Sequence, residues 1–534
     1  MNSPKISDSK TTRVSISNVA ALLMTTTLVG QILGFLRTKL VNANFPIAGP
    51  HSTDAYFAAF TVPDFFYFTL AAGALGVALI PVLTDRYSKS GAKSVWELSN
   101  SLLNMLAIVM LVVGLILVTF ASWIIHHIVA PGLSPAEART ATTIMRLVSF
   151  DPFIFTISGI LASVQQTFGR FFFYAIAPLS YNLSIIVSIF VFKGNIGLVG
   201  LGLGALIGAL LQLIIIGIGA LHSNFHWTPK IMWKSKDFHT VLRNLPVRSL
   251  DQGMDQVEDI IETHLASNLG SGSITNFNNA YVLSTAPILL LGTAISTAAF
   301  PKLNHRLSQG RPDLFRKDFL RVIRAMIWLA APITVIGYFC RGYLARLIYT
   351  QGNSQISLIF GFMVGAIFFG VMYAIISRWF YAHKDTKTPM FVSIFTIGLN
   401  IILAYTLSRP SAYGVVGLAL AQSIVAATEV LILTVIMVHR DHKLFDRNFI
   451  SGVVRIASVT GFSVVAGFVM ISVFPLEISD RGFFVLGTRV AIIALVTMIV
   501  HFSVSSLFAL EEVKPIISMV KRIITKPIKF NWQT

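Results

Sequence analysis

Apolar runs recur along the whole of this chain, and each approaches the ~20 residues a helix needs to cross a hydrocarbon core about 30 Å thick. That feature decides the fold class. Inside a bilayer every backbone donor and acceptor must be satisfied within the protein, so runs of this length cross as helices. A membrane β-barrel would show short alternating segments instead. Charge content agrees, at 12% of residues against about 25% in soluble domains. The expected architecture is an all-α polytopic membrane protein with fourteen transmembrane helices. Their spans are about 17–37, 55–84, 101–127, 141–167, 174–193, 197–221, 245–267, 277–300, 322–347, 355–380, 389–407, 413–438, 451–474 and 483–508.

The basic residues set the orientation. The net charge of +18 sits in short connections and not on one aromatic-interleaved patch, which speaks against a nucleic-acid partner. With the N-terminus inside, the tails and the even-to-odd loops hold roughly three to four times as many Lys and Arg as the opposite loops. Arg86, Lys89 and Lys93 are examples, as are Lys302, Arg306, Arg311, Arg316 and Lys317, then Arg440, Lys443 and Arg447. Both termini are therefore expected in the cytoplasm. Residues 1–16 are polar and carry no cleavable signal pattern. The single cysteine, Cys340, excludes an internal disulfide framework. No loop is long enough for a soluble catalytic domain, and no phosphate loop, zinc pattern or nucleophile elbow is present.

Internal similarity organises the helices. Ile80-Pro81-Val82-Leu83-Thr84-Asp85-Arg86-Tyr87-Ser88 parallels Phe300-Pro301-Lys302-Leu303-Asn304-His305-Arg306-Leu307-Ser308 at an offset of 220. Gly197-Leu198-Val199-Gly200-Leu201 parallels Gly414-Val415-Val416-Gly417-Leu418 at an offset of 217. Two matches in the same order imply a duplicated unit. Six helices per copy is an even number, so both copies face the same way: two parallel six-helix repeats, with two C-terminal helices appended. The resulting organisation is a cytoplasmic N-terminal tail (1–16), an N-lobe (17–221), a cytoplasmic linker (222–244), a C-lobe (245–438), helices 13 and 14 (439–508) and a basic cytoplasmic tail (509–534). Paired repeats of this kind suit alternating access around a central cavity.

Helix 7 concentrates the ionisable residues. Asp251, Asp255, Glu258 and Glu262 are spaced 4, 3 and 4, which keeps them within about 60° on one face. Arg248 and Asp259 lie at the edge of that stripe. Carboxylates at membrane depth are costly unless they face water or a cation. Three readings stay open: a site for Na⁺ or H⁺ coupling, the wall of a hydrated cavity, or pairing with Arg146, Arg378 or Arg37 of neighbouring helices. Elsewhere, Arg37 ends helix 1 and can bind a phosphate or reach the interface as a snorkelling side chain. Asp54 fits an N-cap of helix 2, and Asp64, after Pro63, lies deeper.

The stretch Gly34-Phe35-Leu36-Arg37, then Thr53-Asp54-Ala55-Tyr56-Phe57-Ala58-Ala59-Phe60 and Val62-Pro63, resembles the MurJ/MviN family of lipid II flippases. So do Ala130-Pro131-Gly132, Gly270-Ser271-Gly272-Ser273-Ile274 and Ala382-His383-Lys384-Asp385-Thr386-Lys387-Thr388-Pro389. The resemblance implies the multidrug/oligosaccharidyl-lipid/polysaccharide exporter fold, with a cationic cavity and a lipid-tail groove at helices 13 and 14. It implies an inner-membrane carrier for undecaprenyl-pyrophosphate-linked peptidoglycan precursor; no cofactor is expected, and the driving force stays open between Na⁺, H⁺ and membrane potential. Substrate contacts would fall to Arg37, Arg248, Asp54, Asp64 and Gln31, and partners would be the lipid-linked substrate, membrane lipids and the cell-wall synthesis machinery. Arg37 and Asp54 match the family's helix 1 arginine and the acid before helix 2. The chain departs from the family at Gln31, where relatives carry an arginine, at Tyr67-Phe68, where they carry a basic pair, and at Tyr281-Val282, where they carry Asp-Arg. Those departures keep two alternatives in play: a cation-coupled exporter of another amphiphile, and a non-transporting scaffold.

Overall fold

The computed structural model describes residues 16–514 apart from 73, 224 and 351–353. The side chains of 16–18, 20, 70–78, 244 and 246–252 also fall outside the described set. All regular structure among the described residues is helical. The first part comprises α1 (Ile16–Asn44), α2 (Asp54–Phe66), a π turn (Tyr67–Ala72), α3 (Ala74–Ile124), a second π turn (Ile125–Val129), α4 (Pro135–Val148), α5 (Asp151–Thr167), α6 (Phe172–Phe192), α7 (Val199–Leu221) and α8 (Lys236–Ser267). There follow α9 (Ser273–Pro287), a π turn (Ile288–Thr293), α10 (Ala294–Ser308), α11 (Pro312–Phe339), α12 (Arg341–Ile348), α13 (Ser354–Ala382), α14 (Lys387–Leu407), α15 (Val415–Arg440), α16 (Arg447–Val473) and α17 (Phe483–Leu507).

Among the described residues, 12 helical stretches are long and apolar enough to cross a membrane. Two of the expected fourteen, 55–84 and 245–267, are not counted as separate spans. Leu79–Val129 counts once, yet its 51 residues would span about 76 Å if straight. The break is at Gly91, whose φ of 74° is non-helical, and there Arg86 comes back to 4.0 Å from Glu97. Side chains eleven residues apart on a straight helix would be about 16 Å apart along the axis. The second is α8, which is 32 residues long but too rich in acids to read as an apolar span. It also starts at Lys236, ahead of the expected 245. The reason is that Phe238, Val241 and Leu245 repeat at helical spacing and bury together with Leu83, Trp96 and Leu102.

The chain forms two compact units: residues up to 44, 59–125 and 138–256 make one, and 45–58, 126–137 and 257 onward make the other. Each has its own core, around Leu79, Leu98 and Phe238 in the first and around Phe315, Phe319, Trp379 and Phe380 in the second. The same local devices occur in both. A π turn interrupts the helix after α2 at Tyr67–Ala72, and another follows α9 at Ile288–Thr293. Gly197 and Gly414 both adopt positive φ, 60° and 57°, just before α7 and α15. A few residues on, a Cβ at Gly200 would overlap Phe192, and one at Gly417 would overlap the Leu407 carbonyl. The shared glycine motif is therefore a tight turn made twice.

The appended helices are fastened to α11 by polar groups. Trp328 Nε1 donates to Ser505 Oγ at 2.8 Å, and His501 Nε2 lies 3.1 Å from the Trp328 carbonyl. The other ring nitrogen of His501 is 2.8 Å from Ser463 Oγ. Buried polar groups need partners, and these three helices satisfy one another.

Candidate substrate and coupling site

The residues singled out in the sequence separate into distinct settings. On α1, Gln31 is exposed and Arg37 half-buried; Arg37 makes no hydrogen bond or ion pair with any described residue. Asp64 is half-buried on α2, next to Pro63 and three residues before the π turn. Arg248 and Asp251 lie in the helical backbone of α8, but their side chains fall outside the described residues.

Asp54 corrects its expected role. It opens α2, but its carboxylate caps another helix. Gly272 N donates to it at 2.6 Å, Thr275 N at 2.7 Å and Thr275 Oγ1 at 2.6 Å. These amides are the unsatisfied donors at the start of α9, where a negative charge also meets the positive end of the helix dipole. Gly272 has φ 90° and lies so close to Ile47 and Ala48 that a Cβ would crowd them, which accounts for the Gly-Ser-Gly-Ser motif.

Beside it is a carboxylate the sequence reading did not single out. Glu137 is 2% exposed and accepts from Ser52 Oγ at 2.5 Å, from Ser271 Oγ at 3.0 Å and from Ser134 N at 2.9 Å. Its signal was legible: Ser134-Pro135-Ala136-Glu137 is a capping box, Ser and Glu three apart at a helix start. The motif predicts only the local contact to Ser134. The contacts to Ser52 and Ser271 join segments 85 and 134 residues away in sequence. The Ala-Pro-Gly motif lies in the same region, where Gly132 N donates to Ser267 Oγ at 3.2 Å.

On α8 the stripe is graded. Asp255 is exposed, Glu258 and Asp259 half-buried and Glu262 buried. Glu262 meets neutral amides: Gln422 Nε2 on α15 donates to both its oxygens at 3.0 Å, and Asn400 Nδ2 on α14 lies at 3.3 Å. Asn400 also donates to Glu258, while its Oδ1 is buried without a partner. Arg37, Arg146 and Arg378 form no ion pair with a described carboxylate. Asn400 and Gln422 escaped the sequence reading because a single amide in an apolar helix has no periodicity to betray it.

The His-Lys-Asp-Thr-Lys-Thr-Pro motif is a structural joint. Asp385, in the connection before α14, accepts from Lys387 N and Thr388 N at 3.0 Å and from Arg440 at 2.6 Å. Burial works to raise its carboxyl, but hydrogen bonds from Thr388 and Arg440 outweigh it and hold the group below the usual carboxylate range.

These features define the class: a polytopic all-helical membrane protein with carboxylates and unpaired arginines on its membrane-spanning helices. The model of the family "Lipid II flippase MurJ" matches residues 49–495, and the chain belongs to that family. A probable lipid II flippase MurJ from Borreliella burgdorferi is 25% identical over 431 residues, 79% of this chain and 83% of the relative. One from Buchnera aphidicola is 27% identical over 437 residues, 80% and 83% of the two chains. A solved structure of lipid II flippase MurJ in an inward closed conformation aligns with a TM-score of 0.76 at 23% identity, covering 91% of this chain and 98% of that one. An inward-facing multidrug transporter of the MATE family aligns with a TM-score of 0.63 at 12% identity, covering 82% and 98%. The fold is thus one shared with these two solved structures, and the chain is a bacterial membrane protein.

Proposed function

We propose that this chain carries lipid II, the undecaprenyl-pyrophosphate-linked peptidoglycan precursor, from the cytoplasmic to the outer leaflet of the bacterial inner membrane. It does so by alternating access through fourteen crossings, with both termini cytoplasmic, and it acts as a transporter and not as an enzyme. The observation that carries this reading is the family match along residues 49–495. The chemistry supports it. The head group is polar and anionic and needs hydrated, basic walls, while the polyprenyl tail stays in the bilayer. Arg37, half-buried and without a partner among the described residues, offers a guanidinium fork suited to two phosphate oxygens. Arg248 is the second expected contact. Asp54 and Glu137 hold together the segments around the start of α9, as the fastened outer gate of a carrier closed to the outside. Beyond the substrate, its partners are membrane lipids and the cell-wall synthesis machinery.

The buried acids of α8 fit coupling to a monovalent cation or a proton. Among the described residues no group of three or more His, Cys, Asp or Glu comes together, which is what a tight divalent centre would require. Glu258, Glu262, the unpartnered Oδ1 of Asn400 and the amide of Gln422 supply oxygen atoms suited to a hard cation. Such an ion would neutralise the carboxylates and so bias one state of the carrier over the other.

Complementation tests the reading. A strain depleted of its own lipid II flippase should be rescued by this chain, and Arg37→Ala should abolish the rescue while the protein remains in the membrane. Failure of the unaltered chain to rescue rejects lipid II as substrate. The exporter of another amphiphile then gains if Asp255→Asn and Glu258→Gln remove a Na⁺ or pH dependence of transport that owes nothing to lipid II.

A further inference from the structure

At the end of the second unit that carries the C-termini of α10, α13 and α15, the half-buried arginines Arg306, Arg316 and Arg324 come with counter-charges, whereas exposed cations such as Arg311, Lys317 and Arg321 do not. Half-buried Arg306 and the more exposed Lys302 share Asp318 at 3.2 and 3.0 Å. Arg316 pairs with Asp441, Arg324 with Glu512 at 2.5 Å, and the more exposed Arg440 with Asp385 at 2.6 Å. Arg378, itself half-buried, breaks the pattern. Among the described residues it has no carboxylate partner, and its one hydrogen bond runs from Nη2 to Thr297 Oγ1 on α10 at 3.3 Å. Its guanidinium lies 5.3 Å from the Phe300 ring centre and 5.8 Å from that of Tyr381, and its Nε is buried with no acceptor.

Arg378 stands four residues before the end of α13, about 6 Å inside the helix terminus. It lies within Ser354–Ala382, a stretch long and apolar enough to cross a membrane. A charge there is expensive without a partner. The two rings attract a cation on their faces but bring no negative charge, and Thr297 answers only one of five N–H donors. A snorkelling arginine would put its whole head group in water; this one keeps Nε buried between α10 and α13. The geometry is a guanidinium held in place with its fork unfilled, and the group that fills such a fork is a carboxylate or a phosphate.

We propose that Arg378 is a pyrophosphate contact for the lipid-linked substrate, supplied by the second unit. The proposal rests on the flippase reading, since it takes the ligand to be an amphiphilic pyrophosphate.

Purified full-length protein in lipid nanodiscs is titrated with geranylgeranyl pyrophosphate, geranylgeraniol and inorganic pyrophosphate, and binding is read by native mass spectrometry. Arg378→Gln should weaken geranylgeranyl pyrophosphate about tenfold, Arg378→Lys less, and exposed Arg146→Gln not at all. Geranylgeraniol should bind all variants alike. In the unaltered protein, phenylglyoxal modification of Arg378, followed by peptide mass spectrometry, should be slowed by geranylgeranyl pyrophosphate and not by the alcohol, a readout that needs no variant to fold. Undiminished pyrophosphate binding by Arg378→Gln, equal losses for pyrophosphate and alcohol, or unprotected Arg378 would overturn the assignment and leave the flippase reading standing. Inorganic pyrophosphate protecting as well as the lipid form would overturn the lipid-linked ligand in favour of a free anion. No binding of geranylgeranyl pyrophosphate to the unaltered protein would overturn both.

Discussion

Two acidic centres in the second unit hold their carboxylates by different means. Around Asp54 and Glu137 the donors are backbone amides and serine or threonine hydroxyls of short connecting segments, at 2.5–3.0 Å. Around Glu258 and Glu262 they are side-chain carboxamides on α14 and α15. A backbone amide can only donate. A carboxamide carries an oxygen on the same rotating group, so it can present N–H to a carboxylate or oxygen to a cation. The unpartnered Oδ1 of Asn400 is what such a group leaves over when it donates. On the reading proposed above, the first centre, tied through backbone amides that cannot turn away, is a fastening, and the second is the exchangeable one.

Breaking the first centre should have the larger effect on stability. Asp54→Ala removes the acceptor for three donors and leaves the buried Gly272 and Thr275 amides unpaired. A loss of about 2–3 kcal/mol is expected, read as a lowered thermal unfolding midpoint in detergent. An unchanged midpoint would mean that the start of α9 is capped by something else, and the contrast with Glu262 would go. Glu137→Gln is milder, because the amide oxygen can still accept from one or two of the serines. About 1 kcal/mol is expected. Hydrogen–deuterium exchange over residues 49–53 and 270–276 should also quicken in this variant, since segments that part more readily open their amides more often. Equal exchange rates would reduce Glu137 to the local cap its sequence motif announces.

What could be read from the sequence follows from the range over which each signal acts. Helices were legible because apolar runs are local patterns, and the Gly197/Gly414 pair marked two turns of the same kind. The start of α8 was missed because the stretch 236–244 is too polar to register as an apolar run, although it is helical. The acids of α8 were visible as a stripe, since their 4-3-4 spacing is helical. Their partners were not, because Asn400 and Gln422 lie 138 and 160 residues from Glu262 and carry no pattern of their own. Asp54 shows the same limit. A carboxylate at a helix start reads as that helix's cap, whereas the donors it serves lie 218 and 221 residues on.

Glu262→Gln sharpens the comparison most, because its expected effect on stability is the smallest. Replacing a buried carboxyl that faces two carboxamides and the neighbouring acids Glu258 and Asp259 removes a desolvation penalty and a like-charge repulsion along with the hydrogen bonds it received, so the unfolding midpoint without Na⁺ should move by no more than about 1 kcal/mol equivalent. The difference should appear in ligand linkage. If the unaltered protein binds Na⁺ at this centre, replacing choline chloride with NaCl stabilises it, by about 2.7 kcal/mol at a hundredfold excess over the dissociation constant. Glu262→Gln should lose that increment, and Asp54→Asn should keep it although its baseline is lower. If Na⁺ has no effect but lower pH stabilises only proteins that retain Glu262, the exchangeable partner is a proton. A Na⁺ increment that survives Glu262→Gln and vanishes with Asp54→Asn would reverse the two roles, making the apparent fastening the ion site and the amide-lined pair a structural one.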